Sequence, residues 1–181
     1  MALKKPRSTR TRPTVNADGA REVIDLNRYV PFFMTTIANT WSRGASKVYL
    51  IHFGIGVLDW AMISTLAMEP LITMQRLCEF CAADKAAVSR SIAGLEQKEI
   101  VKSEVYGKDI RRRTLQLTKL GYQLHDKIIA LALKREKLLL KGLQATDLAA
   151  LTRALNRMHK NLEQLQAWDD AAVIDGAKQA R

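Results

Sequence analysis

The chain has 181 residues, 48% of them hydrophobic and 26% charged, which suits one globular domain plus an arm and excludes wholesale disorder. Nine Gly and four Pro exclude a collagen-like chain, and two Cys make no disulfide framework. The net charge of +11, from 29 basic against 18 acidic residues, draws the chain toward polyanions, either nucleic acid or an anionic membrane surface.

The excess is concentrated. Residues 1–20 hold five basic residues and one acidic, residues 102–121 hold six and two, and 21–101 balance. The first stretch is an arm rich in Thr, Pro and Arg. It has too little apolar surface to offset its ordering entropy, so residues 1–22 are expected to be disordered. The arm either solubilises the chain or adds phosphate contacts. No apolar core follows its basic residues, so it is not a secretory signal. No apolar run approaches the ~20 residues of a membrane span. A reducing, cytoplasmic location and no membrane partner are expected.

In chain order, Leu26, Val30, Phe33, Ile37 and Trp41 step by helical intervals, predicting a helix over 25–47 with Pro31 in its first turn. Phe53-Gly54-Ile55-Gly56 breaks the pattern, and a short apolar helix over 58–68 stops at Pro70. Thr73 suits the N-cap of a helix over 74–82, with Leu77 and Phe80 inward. Asp84 suits the N-cap of another over 85–98, with Val88, Ile92 and Leu95 inward. Two short helices with so tight a joint predict a helix-turn-helix. The period then becomes two: Val101, Ser103, Val105 and Arg113, Leu115, Leu117 predict a β-hairpin with a basic tip, the only strands expected. Thr118 opens a long helix with Leu120, Leu124, Ile128, Leu131 and Leu138 on one face, ended by Gly142. A final helix from 146 or 147 carries Leu148, Leu151, Leu155, Met158, Leu162 and Leu165 in alternating three–four spacing. That narrow seam is of coiled-coil type and is read as a homodimer contact, with packing inside one chain as the alternative.

The resulting class is mainly α with a small β-hairpin wing, a winged helix-turn-helix between dimerisation helices. Its parts are the arm (1–22), an N-terminal dimerisation helix (23–52), the winged domain (53–119), C-terminal dimerisation helices (120–167) and a tail (168–181). The physical case for double-stranded DNA is direct. A helix over 85–98 fits a major groove ~12 Å wide, and its first turns present Lys85, Ser89 and Arg90 beside small Ala86, Ala87 and Ala93. Lys108, Arg111, Arg112 and Arg113 at the hairpin reach phosphates or a minor groove, where Arg is favoured. Thr73, opening the first helix of the pair, joins the expected DNA contacts. Enzymatic readings have no support: there is no Gly-rich phosphate loop, Gly-x-Ser-x-Gly or His-Glu-x-x-His. Cys78 and Cys81 lie three apart and read as small buried hydrophobes, a thiol-redox sensor being the alternative. His125 and His159 have no ligand spacing with them, so neither metal nor cofactor is expected.

Three stretches resemble the MarR family of transcriptional regulators, over residues 26–165. Phe53-Gly54-Ile55-Gly56-Val57-Leu58-Asp59-Trp60 resembles the family's lead into its second helix. Asp84 through Val101, with Val88-Ser89-Arg90, Leu95-Glu96 and Ile100-Val101, resembles the recognition helix and its exit. Asp109-Ile110-Arg111, followed by Leu117-Thr118 and Gly121, resembles the wing signature and is the most specific of the three. The resemblance implies a cytoplasmic homodimer on a near-palindromic operator, with Arg111 in the minor groove and Asp109 holding it by an ion pair. Glu99 departs from it, standing where the family commonly has Gly, and the arm lies outside it. The resemblance also implies a regulator, expected to be a repressor, that a small effector releases. Arg28, Tyr29, Trp41, Arg43 and His52 are the candidate lining, a cationic and aromatic set suited to an aromatic carboxylate or its thioester. The alternatives are a thiol-redox regulator and a non-specific architectural DNA-binding protein.

Overall fold

Helix α1 (Val30–Phe53) starts with Pro31 in its first turn, where a missing N–H costs nothing. The computed structural model describes residues 13–15, 19, 21–105 and 113–179, which fall into two compact units, 1–130 and 131–181. α1 begins later than the apolar stripe suggests because Asp25 Oδ1 accepts the Asn27 amide at 3.0 Å, making a turn ahead of the helix. It ends at Gly54, whose φ of 67° is left-handed and whose amide bonds Leu50 O at 3.0 Å. The axes of α1 and α2 (Val57–Met68) bend by 79° across this joint. Among the described residues no single helix is long and apolar enough to cross a membrane; α1 and α2 qualify only as that bent pair.

α2 is apolar nearly all round, and Met62, Ile63 and Leu66 are buried at the centre of the first unit. Buried Thr65 is satisfied by donating to Ala61 O at 2.8 Å. Around α2 lie α3 (Met74–Cys81), α4 (Lys85–Gln97) and α5 (Lys119–Leu139). They contribute Leu77, then Val88, Ile92 and Leu95, then Ile128, all buried. Phe80, expected inward, is instead 47% exposed with the Arg76 guanidinium 5.9 Å from its ring centre. Leu77 alone fills the inward position of that short helix.

The three-stranded antiparallel sheet has the order β3 (Ile72–Thr73), β5 (Arg113–Leu117), β4 (Val101–Val105). Its register pairs Ile72 with Leu115 and Val101 with Leu117, and alternation along β5 turns Leu115 and Leu117 into the core. β1 (Pro13–Val15) and β2 (Glu22–Ile24) form a separate antiparallel pair, Thr14 opposite Val23. These three additional strands correct the expectation of a single hairpin and of an unstructured stretch up to 22; residues 1–12 lie outside the described set. Each is two or three residues long, too short for alternation to show.

In the second unit, Gly142 (φ 93°) closes the turn after α5. Helix α6 (Ala145–Lys160) starts where Asp147 Oδ2 accepts the Gln144 amide at 3.0 Å. The expected single final helix is two. α6 is capped at Asn161, and α7 (Leu162–Gln179) carries Leu162 and Leu165 and runs as helix into the expected tail as far as Gln179. No residue of α6 is buried.

Candidate nucleic-acid interface

Helix α3 starts where Thr73 Oγ1 accepts the Arg76 amide at 3.2 Å, and α4 where Asp84 Oδ1 accepts the Ala87 amide at 2.8 Å. Between them Ala82 is left-handed, with φ 47°. The Ala82 amide bonds Glu79 O and the Ala83 amide Cys78 O, both at 3.3 Å, a Schellman closure that keeps the joint tight. Thr73, expected to contact DNA, is exposed but has its hydroxyl engaged in this cap.

The buried stripe of Val88, Ile92 and Leu95 fixes the rotation of α4. Outside that stripe Lys85, Ala86, Ser89, Arg90 and Ala93 are exposed. The three side chains predicted for base-edge contact are therefore all solvent-exposed on the first turns of α4, with the exposed alanines Ala86 and Ala93 near them. Arg113 sits otherwise than expected: its guanidinium pairs with Glu96 of α4 at 2.6 Å, both groups partly exposed. It ties β5 to α4. Lys108, Asp109, Arg111 and Arg112 lie outside the described residues.

The joint from α4 to β4 explains the rest of the wing signature. The Glu99 amide bonds Glu96 O and the Ile100 amide bonds Leu95 O, both at 2.9 Å, a second Schellman closure. Glu99 takes the left-handed conformation, φ 57°, that a glycine adopts without strain. Thr118 Oγ1 donates to Glu99 O at 2.6 Å and accepts the Gly121 amide at 3.1 Å. A Cβ on Gly121 would run into the Ile100 carbonyl oxygen. The Thr-x-x-Gly pair thus seats the start of α5 directly on the exit of α4.

No protein-family model and no curated protein sequence matches the chain. Solved structures do. A MarR/EmrR-family transcriptional regulator from Acinetobacter sp. ADP1 is 28% identical with a TM-score of 0.73, the match covering 78% of this chain and 99% of that one. The chain thus has the winged-helix fold of MarR-family regulators and is similar to one of them in sequence. At lower identity the likeness is one of fold. MepR of S. aureus, solved with DNA, is 18% identical over 75% of this chain and 98% of its own, with a TM-score of 0.65. PcaV of Streptomyces coelicolor, solved with its natural ligand, is 16% identical over 76% and 96%, also with a TM-score of 0.65.

The effector candidates do not gather within one chain. Arg28 and Tyr29 precede the first turn of α1 and His52 lies in its last. A helix rising ~1.5 Å per residue separates them by roughly 35 Å. Trp41 is half-buried between these ends, and Arg43 and His52 are exposed. What does gather is a cluster the sequence gives no spacing for, brought together from three helices. Trp60 stacks on His125 with ring centres 5.5 Å apart and lies 6.0 Å from Tyr49; His125 Nδ1 is 3.0 Å from Asp126 Oδ1.

Cys78 and Cys81 are half-buried, free thiols. Burial pushes the Cys81 thiol up, outweighing the lowering effect of its contact with Thr65 Oγ1 at 4.0 Å. A raised thiol is the opposite of the thiolate a redox sensor needs.

Proposed function

We propose that this protein is a DNA-binding transcriptional regulator that acts as a homodimer on a near-palindromic operator, in the cytoplasm, as a repressor. The observation that carries the reading is the outer face of α4, where Lys85, Ser89 and Arg90 stand exposed together on a helix tied to the wing through Arg113 and Glu96. A helix so placed, with a basic hairpin beside it, has the form that enters a major groove while the wing takes the backbone. MepR was solved with DNA on the same fold. The net charge of +11 supplies the sequence-independent attraction.

Two apolar faces support dimerisation. Leu26, Val30, Phe33 and Ile37, at and before the start of α1, are exposed, as are Leu151, Leu155, Leu162 and Leu165 of α6 and α7. Leu148 and Met158 are half-covered. Such stripes are what a second copy covers. Release by a small anionic aromatic effector, such as an aromatic carboxylate or its thioester, is the finer part of the reading; PcaV, of the same fold, was solved with its natural ligand. An effector acts only by binding the DNA-competent and DNA-incompetent states unequally.

The test is selection of bound sequences from genomic DNA, followed by titration of the selected duplex and a scrambled one at equal salt. A specific regulator prefers its site by ~10³–10⁷-fold. A ratio near one overturns the reading in favour of an architectural protein. Arg111→Ala is expected to weaken the selected duplex by about 1–3 kcal/mol; unchanged affinity removes the wing from recognition.

A further inference from the structure

The recognition helix is held from behind at two points by the same short segment. Asp59, in the first turn of α2, accepts the Gly56 amide on Oδ2 at 2.9 Å. Its other oxygen, Oδ1, accepts a hydrogen bond from Ser91 Oγ of α4. One turn of chain away, the Gly54 carbonyl accepts Lys98 Nζ at 2.7 Å. Ser91 and Lys98 are seven residues apart, so they lie on one edge of the helix about two turns, roughly 10 Å, apart. That edge flanks the buried stripe. Both partners belong to residues 54–59, the joint across which α1 and α2 bend by 79°.

Apolar packing of Val88, Ile92 and Leu95 keeps α4 in place, but methyl groups tolerate small rotations and slides. Directional hydrogen bonds do not. One such bond leaves the helix free to pivot; a second at two turns' distance fixes both its rotation and its tilt. We propose that Asp59 and Lys98 are positioning residues for DNA reading: with Ser91 they lock α4 to the α1–α2 joint, so that displacement of that joint moves the outer face of the recognition helix. The inference rests on the reading of α4 as the DNA-contacting helix. None of the three residues touches DNA in it. Gly54 and Gly56 are part of the device, since an open, left-handed Gly54 presents its carbonyl to Lys98.

The decisive variants are Ser91→Ala, which changes no charge, and Lys98→Met, which keeps the apolar stem. A positioning role predicts that each lowers affinity for the selected duplex about tenfold, as for loss of one bond to a charged group. Affinity for scrambled duplex stays within about twofold and the salt slope of Ser91→Ala stays unchanged. If Lys98→Met weakens both duplexes equally and flattens the slope by about one, Lys98 is a phosphate contact and the lock is overturned. An unchanged preference in Ser91→Ala also overturns it. A second measurement needs no DNA. Hydrogen exchange of the α4 amides is expected to speed up in Asp59→Asn and in Ser91→Ala alike, with the Gly54–Gly56 joint responding in step. Exchange that changes in neither region overturns the lock. If the native protein shows no duplex preference, the proposed function falls, and exchange still decides whether the lock exists.

Discussion

The two units of this chain treat the same kind of residue in opposite ways. In residues 1–130, Leu66, Leu77, Leu95 and Ile128 on the inward faces of α2 to α5 have essentially no exposure, while Leu26 and Ile37 near the start of α1 stay open. In residues 131–181, leucines at equally regular spacing remain open: Leu151, Leu155, Leu162 and Leu165 are all exposed. Periodicity alone therefore says which face of a helix is apolar, and not what covers it. A core covers itself, whereas an open seam is left for another surface.

The contrast can be broken most sharply by placing charge in the seam. Leu155→Glu combined with Met158→Glu is expected to abolish dimers. Burying unpaired carboxylates costs several kcal/mol, about a thousandfold or more in dissociation constant. Light scattering should then give the monomer mass, and a mass still dimeric would assign the seam to the interior of one chain. Next in size is Leu95→Ala in the first unit, which leaves a cavity behind the recognition helix and should cost about 2–5 kcal/mol in urea unfolding. Leu155→Ala should cost far less under conditions where the protein is monomeric. Gly121→Ala should cost about 1–3 kcal/mol, because α5 must shift off the Ile100 carbonyl. Its thermal midpoint should fall with no loss of helix by circular dichroism. Smallest and opposite in sign is Glu99→Gly. It relieves a left-handed side chain and should stabilise by about 1 kcal/mol, seen as a raised urea midpoint.

Much of the first unit is legible in the sequence because local and tertiary demands agree there. Thr73 and Asp84 are capping residues by type and serve as caps by position. Val88, Ile92 and Leu95 repeat at helical intervals and are buried. The Gly54 break lies where the chain bends. Glu99, standing where the resembled family commonly has Gly, turns out to hold the left-handed angle itself. What could not be read was set by contacts far apart in the chain. Arg113 alternates outward on its strand and so reads as a free cation, but Glu96, 17 residues earlier, takes it. Ser91 lies beside the exposed Ser89 and Arg90, yet bonds to Asp59, 32 residues away. The effector candidates were grouped by chemistry along one helix, and the rise of that helix keeps them apart. The apolar spacing of the seam reads as continuous past Asn161, although the helix is interrupted there.

That interruption has its own consequence. Asn161 sits between α6 and α7, its amide bonding Met158 O at 3.0 Å while its carbonyl accepts the Leu165 amide at 3.1 Å. An unbroken zipper of leucines can close in several registers offset by a heptad, and it can close on foreign helices of the same period. A zipper with a discontinuity in it has only one offset at which both sides match. If two copies of this chain meet along the seam as proposed, they bring two identical interruptions to be aligned, which would favour one alignment over its neighbours.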